Sequence, residues 1–139
     1  MKAFFSIMSV CCLLFTACST TNQPECGELI CTQEFRIVQV KFTDAIGNAV
    51  TVKDYSAINQ RTKKSMAQNN EPPTINNQGN YIVASDADRI NLSEKGDKIV
   101  VSATHPESNK TLKGEFVVSG GICACHINRI SGPAVIVFD

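Results

Sequence analysis

Cys26 and Cys31 lie four residues apart near one end of the chain, and Cys123, Cys125 and His126 cluster near the other. These residue types support three chemistries. In an oxidising compartment an even set of cysteines closes disulfides. Four thiolates, or three plus the His126 imidazole, could bind Zn²⁺ tetrahedrally. A thiol of lowered pKa in an electropositive setting could carry out exchange chemistry, with Arg129 the nearest cation in sequence. The Cys-x-Cys-His spacing departs from both the Cys-x₂-Cys zinc knuckle and the Cys-x₂-Cys-His haem attachment motif. Disulfides are the leading reading, with zinc or redox-active thiols on Cys26, Cys31, Cys123, Cys125 and His126 as the alternative.

Connectivity follows from strand geometry. Cys123 and Cys125 would point to the same face of a strand, and bridging them to each other closes a small, strained ring. A Cys26–Cys31 bridge would be purely local. Two long-range bridges are therefore expected, the nested set Cys26–Cys125 and Cys31–Cys123 slightly ahead of its alternative. Each closes a long loop, contributing about 4–5 kcal/mol by chain entropy.

Other catalytic signals are thin. There is no Gly-x-Ser-x-Gly elbow, phosphate-binding loop or His-Glu-x-x-His. A Cys/His pair lacks a recognisable third, orienting group. His126 reads as a polar residue at a strand end and His105, before Pro106, as a turn residue facing water. Asp86, Asp88, Asn91, Glu94 and Asp97 form an acidic stretch without the central Gly of a helix-loop-helix Ca²⁺ site, and read as a solvated loop. With no Trp and only Tyr55 and Tyr81, the chain has little material for a glycan-binding aromatic platform. No catalytic residues and no cofactor are expected.

The start of the chain gives an address. Lys2 precedes an uncharged apolar run from Ala3 to Ala17, the form of a secretory signal, and too short for a span of about 20 apolar residues. It ends Phe15-Thr16-Ala17-Cys18, which resembles the lipobox of bacterial lipoproteins, with Phe15 where Leu is usual. The resemblance implies cleavage before Cys18 and its acylation with palmitate-type chains, two or more of which hold a protein stably on a membrane. Ser19, rather than Asp, after the cysteine implies the outer membrane. Residues 1–17 are thus expected to be a lipoprotein signal peptide, 18–29 a tether and 30–139 the folded domain. Cys11 and Cys12 leave with the signal and Cys18 carries the lipid, so of seven cysteines four remain for pairing.

Lys+Arg and Asp+Glu are 13 each, which removes any composition-level case for a nucleic-acid partner. The expected partners are the membrane, through the lipid, and an envelope protein. Hydrophobic residues are 43% and charged residues 19%, a globular rather than a disordered balance.

The elements that must position the cysteines read as strands. Val38, Val40 and Phe42 alternate with Gln39 and Lys41 within 34–42. Alternation recurs over 49–53, and 98–104 (Ile99, Val101, Ala103) and 112–118 (Leu112, Phe116, Val118) each gather apolar residues on one face, while 81–84 is a short apolar run and 134–138 a final β-rich strand. Turn residues such as Gly47-Asn48 and Gly132-Pro133 separate them. The nearest helical candidate, 57–68, is mostly polar. Ser85-Asp86-Ala87-Asp88 could cap one short helical turn. Gln68 to Asn80, rich in Asn and carrying Pro72 and Pro73, is the clearest loop. That loop and the tract of Arg61, Lys63 and Lys64 are candidate contact surfaces. About seven short strands favour an all-β, antiparallel two-sheet sandwich of the immunoglobulin or transthyretin type.

Asp44-x-x-Gly47-Asn48-x-Val50, Gly79-x-Tyr81-x-Val83 and Gly96-Asp97-x-Ile99-x-Val101-Ser102-Ala103 resemble the carboxypeptidase regulatory-like domains, which are seven-stranded transthyretin-like sandwiches. The resemblance covers roughly Phe35 to Phe138. It implies an accessory or ligand-contacting module without catalytic residues, often attached to larger enzymes or outer-membrane receptors. The loop near Pro72 and the cysteine cluster depart from that pattern.

Overall fold

The computed structural model describes residues 26–66 and 78–139. The expected signal peptide, Cys18 and most of the Asn-rich loop lie outside the described residues. Seven strands follow one another: β1 (Ile37–Asp44), β2 (Lys53–Asn59), β3 (Asn80–Ser85), β4 (Asp97–Thr104), β5 (Thr111–Ser119), β6 (Asn128–Ser131) and β7 (Val135–Phe138). A 3₁₀ helix, Asp86–Asn91, separates β3 from β4. The strands form two sheets, ordered β3-β1-β7 and β2-β4-β5-β6. The all-β sandwich expected from the alternation is the observed fold. One pairing differs in direction: β7 lies parallel to β1, from Lys41↔Val135 to Asp44↔Phe138, while all the other ladders are antiparallel.

One apolar cluster fills the space between the sheets. Val38, Val40 and Phe42 from β1 meet Ile99, Val101 and Ala103 from β4 and Phe116 and Val118 from β5. Alternation with period two sends these side chains inward and their neighbours outward. Phe42 and Phe116 are fully enclosed, so truncating either to Ala costs about 3–5 kcal/mol. Phe35 and Ile37 lie outside this layer, 61% and 44% exposed.

Two strands depart from the sequence pattern. The strand expected at 49–53 is an isolated bridge, Thr43↔Ala49; the true strand, β2, starts at Lys53 and takes in the first residues of the helical candidate. Asp54 has φ of 53°, and the β2–β4 register shifts between Lys53 and Ser56. That irregularity puts β2 out of phase with the apolar positions before it. Strand β6 has all four residues exposed, so no hydrophobic period announces it.

The 3₁₀ helix starts where the capping signal predicts. Ser85 is extended, at φ −138° and ψ 172°, and the Asp88 carboxylate accepts its backbone N–H at 2.8 Å, as in a capping box.

Candidate functional site

The four cysteines form two long-range bridges, Cys26–Cys123 and Cys31–Cys125, with Cα–Cα distances of 5.2 and 5.3 Å. Both separations suit a disulfide. Long-range pairing was expected, but the nested order is corrected: pairing rises in step along both segments. The next pair continues the progression, with Thr32 Oγ1 2.9 Å from His126 Nε2. The segment after Cys26 therefore passes the Cys123–His126 loop in the same sense, whereas nested bridges need an opposed approach.

The physical reason is Asp86, the first residue of the 3₁₀ helix. Its Oδ2 accepts the Arg36 backbone N–H and its Oδ1 the Ile127 N–H, both at 2.8 Å. The Arg36 carbonyl in turn accepts the Asp86 N–H at 3.0 Å. His126 Nδ1 lies 2.7 Å from Asp86 Oδ2. An ionised carboxylate can only accept, so Nδ1 carries the proton of that bond. One side chain thus fixes the residues just beyond both bridges. Burial pushes the Asp86 carboxyl up, but the Arg36 and Ile127 N–H groups and the His126 ring outweigh it and hold the carboxyl below its ordinary value.

Arg89, one turn along the same helix, holds the rest of the cysteine loop. Its Nη1 donates to the carbonyls of Gly121 and Ile122 at 3.0 and 3.2 Å, and to that of Ala124. The Gly121 N–H returns a 2.8 Å bond to the Arg89 carbonyl. The loop carrying Cys123 and Cys125 is therefore shaped by a fixed guanidinium rather than by strand pairing.

Thr32, His126 and Asp86 have the order hydroxyl, imidazole, carboxylate. The orienting third group that the sequence did not disclose is Asp86. The residues that could play the nucleophile are differently placed: the cysteine sulfurs are bonded to one another, and Thr32 sits on an exposed segment. What the arrangement does chemically is join three stretches of chain. For zinc, the described residues contain no convergent group of three or more His, Cys, Asp or Glu side chains, and a bridged sulfur is not a thiolate ligand.

The acidic stretch is a correction too. Asp88 and Asp97 are buried, at 5% and 3% exposure. Asp97 accepts a two-pronged pair from Arg61, Nε to Oδ1 at 2.7 Å and Nη2 to Oδ2 at 2.8 Å, and the Asn59 amide donates to it at 2.7 Å. Arg61, expected as a contact cation, is thereby engaged within the fold; Lys63 and Lys64 remain exposed. His105 is not simply solvated: its Nδ1 accepts the N–H groups of Glu107 and Ser108, both at 3.2 Å, and its ring packs edge-on to Phe138 with centroids 5.1 Å apart.

The described residues contain no helix long and apolar enough to cross a membrane. The chain matches no known protein family, and neither curated proteins nor solved structures give a significant match to it.

Proposed function

We propose that the protein is a lipid-anchored accessory module of the bacterial cell envelope, facing its work from the outer membrane and binding or supporting a partner protein without catalysing a reaction. The observation that carries this reading is the place of the bridges. Cys26 and Cys31 follow directly on the polar stretch after Cys18, and each is bonded to the loop before β6. A tether entering there is fastened covalently to the sandwich. Stable disulfides also fit an exported chain. The likeness to carboxypeptidase regulatory-like domains supports the same accessory role.

The test is Cys18→Ser. The natural chain is expected in the membrane fraction with an acyl mass on Cys18, and the variant in the soluble fraction. A natural chain that is soluble and unacylated overturns the reading. The second reading, metal binding or thiol redox chemistry on Cys26, Cys31, Cys123, Cys125 and His126, is favoured by the imidazole lying one residue beyond a bridge. It requires reduced sulfurs. Thiol titration and zinc analysis of protein purified without reductant decide between the two. Four free thiols or one bound zinc per chain favours the second, and neither favours the first.

A further inference from the structure

The sandwich leaves one strand edge half covered. β7 pairs with β1 only from Lys41 onward, its ladder opening with the Lys41 N–H on the Ala134 carbonyl at 3.0 Å. Ile37, Val38 and Gln39 pair with β3 on their other side. Among the described residues, no strand covers β1 from Ile37 to Val40 on the β7 side. A cleft of about 380 Å³ opens there, lined by Ile37, Val38, Gln39 and Arg129.

Its two walls have different chemistry. The β1 wall offers unpaired strand backbone and the exposed side chain of Ile37, and exposed Val135 stands in line above it on β7. The opposite wall carries Arg129 from β6, the outermost strand of the other sheet. The guanidinium is exposed and makes no hydrogen bond or ion pair with any described residue. An uncovered strand edge takes an added strand, through main-chain hydrogen bonds for affinity and alternate side chains for specificity. An unpaired guanidinium on the facing wall favours a carboxylate, since the two match in a planar, two-bond geometry.

We propose that this cleft is a strand-addition site for an extended segment of a partner protein, carrying an acidic side chain opposite Arg129. The segment would continue the line of β7 along β1. This rests on the reading of the chain as a partner-binding module and specifies what part of the partner it takes.

The probe is a fluorescein-labelled pentapeptide, Val-Thr-Glu-Thr-Val, blocked at both ends, added to the full oxidised chain in detergent. Fluorescence anisotropy is expected to rise with a midpoint on the order of 0.1 mM. Hydrogen exchange at the Gln39 amide should slow in the complex. Arg129→Glu should weaken binding about tenfold with an unchanged melting temperature, and so should Lys in place of the probe's Glu. No anisotropy change, or equal binding by Arg129→Glu, overturns the proposal. A dimer that Arg129→Glu abolishes, without peptide binding, overturns it in favour of a second copy of the chain. Membrane anchoring through Cys18 is measured separately, so loss of the peptide site leaves the envelope reading standing.

Discussion

The carboxylate of Asp86 lies 2.7 Å from Nδ1 of His126, forty residues away in sequence. The same carboxylate takes the N–H groups of Arg36 and Ile127, so the entry to β1, the cysteine loop and the 3₁₀ helix converge on two oxygen atoms. Protonated at Nδ1, the ring leaves Nε2 to pair with the Thr32 hydroxyl. The bridges and this relay fasten the same segments by independent means, one covalent and one polar.

Asp86→Ala strands two backbone donors and one ring donor in a site where both side chains are only 11% exposed. Each unsatisfied donor costs about 1–3 kcal/mol, softened here by some access to water. The expected loss is about 2–4 kcal/mol of unfolding free energy, read from urea denaturation of the oxidised protein. A loss no larger than that of an ordinary surface change, about 0.5 kcal/mol, would show that water replaces the carboxylate.

The two bridges should be strongly non-additive. With Cys26–Cys123 closed, Cys31–Cys125 adds only a small ring, residues 26–31 facing 123–125. The chain-entropy relation gives about 4.7 kcal/mol for a loop near 100 residues and about 2.5 kcal/mol for a ring of roughly nine. Replacing either cysteine pair by Ser should therefore cost about 2–3 kcal/mol, since the surviving bridge still closes the long loop. Replacing all four should cost about 7 kcal/mol. Equal, additive losses of 4–5 kcal/mol would mean that the bridges close independent loops.

Period-two alternation made β1, β4 and β5 legible, because each buries one face and Val38, Val40, Ile99, Val101, Phe116 and Val118 mark it. β2 was hidden by Asp54 at positive φ, and β6 by having no buried face at all. The cysteines announced bridging through their even number and their separation into two distant pairs, but not its order. That order depends on where Asp86 holds Arg36 and Ile127, a contact between residues far apart in sequence. Asp86, Asp88 and Asp97 looked like solvated loop because charge normally is; only their donors, Ser85, Arg61, Asn59 and backbone N–H groups, make them interior residues. The capping pattern at Ser85 was the one sequence signal pointing toward that site.

Acid should unfold the protein through two carboxylates. Arg61 is the main influence holding Asp97 below the ordinary value, against burial and with help from Asn59 and the Ser93 N–H. Asp86 is likewise lowered. A folded-state pKa below the unfolded one stabilises the protein above the unfolded value, and that stabilisation is lost as pH falls through the folded value. Stability should be flat from pH 7 to about 5 and fall below about 4, each group adding up to about 1.4 kcal/mol per pH unit. Arg61→Ala removes the largest lowering influence while burial stays, so the variant should be less stable at pH 7 and its acid limb shallower, because Asp97 no longer carries a strongly lowered folded value. Urea midpoints measured from pH 7 to pH 3 check this; an unchanged acid limb in Arg61→Ala would remove Asp97 from the account.

Gly132 tests how the chain changes sheets. It follows β6 in one sheet and precedes β7 in the other, at φ of 134°, a region where a side chain is strained. A Cβ there would also run into the Phe116 ring, with Cγ at 2.8 Å and Cε1 at 2.9 Å, and Phe116 is fully buried with no room to retreat. Backbone strain and overpacking together should cost Gly132→Ala about 2–4 kcal/mol. The two contributions separate in a double variant. Phe116→Leu alone opens space and destabilises by about 1–2 kcal/mol, but it removes the ring that the new methyl strikes. Combined, the two changes should cost less than their sum by about 1 kcal/mol, leaving the strain of positive φ as the remainder. Strict additivity in thermal or urea unfolding would place the whole cost of Gly132→Ala in the backbone.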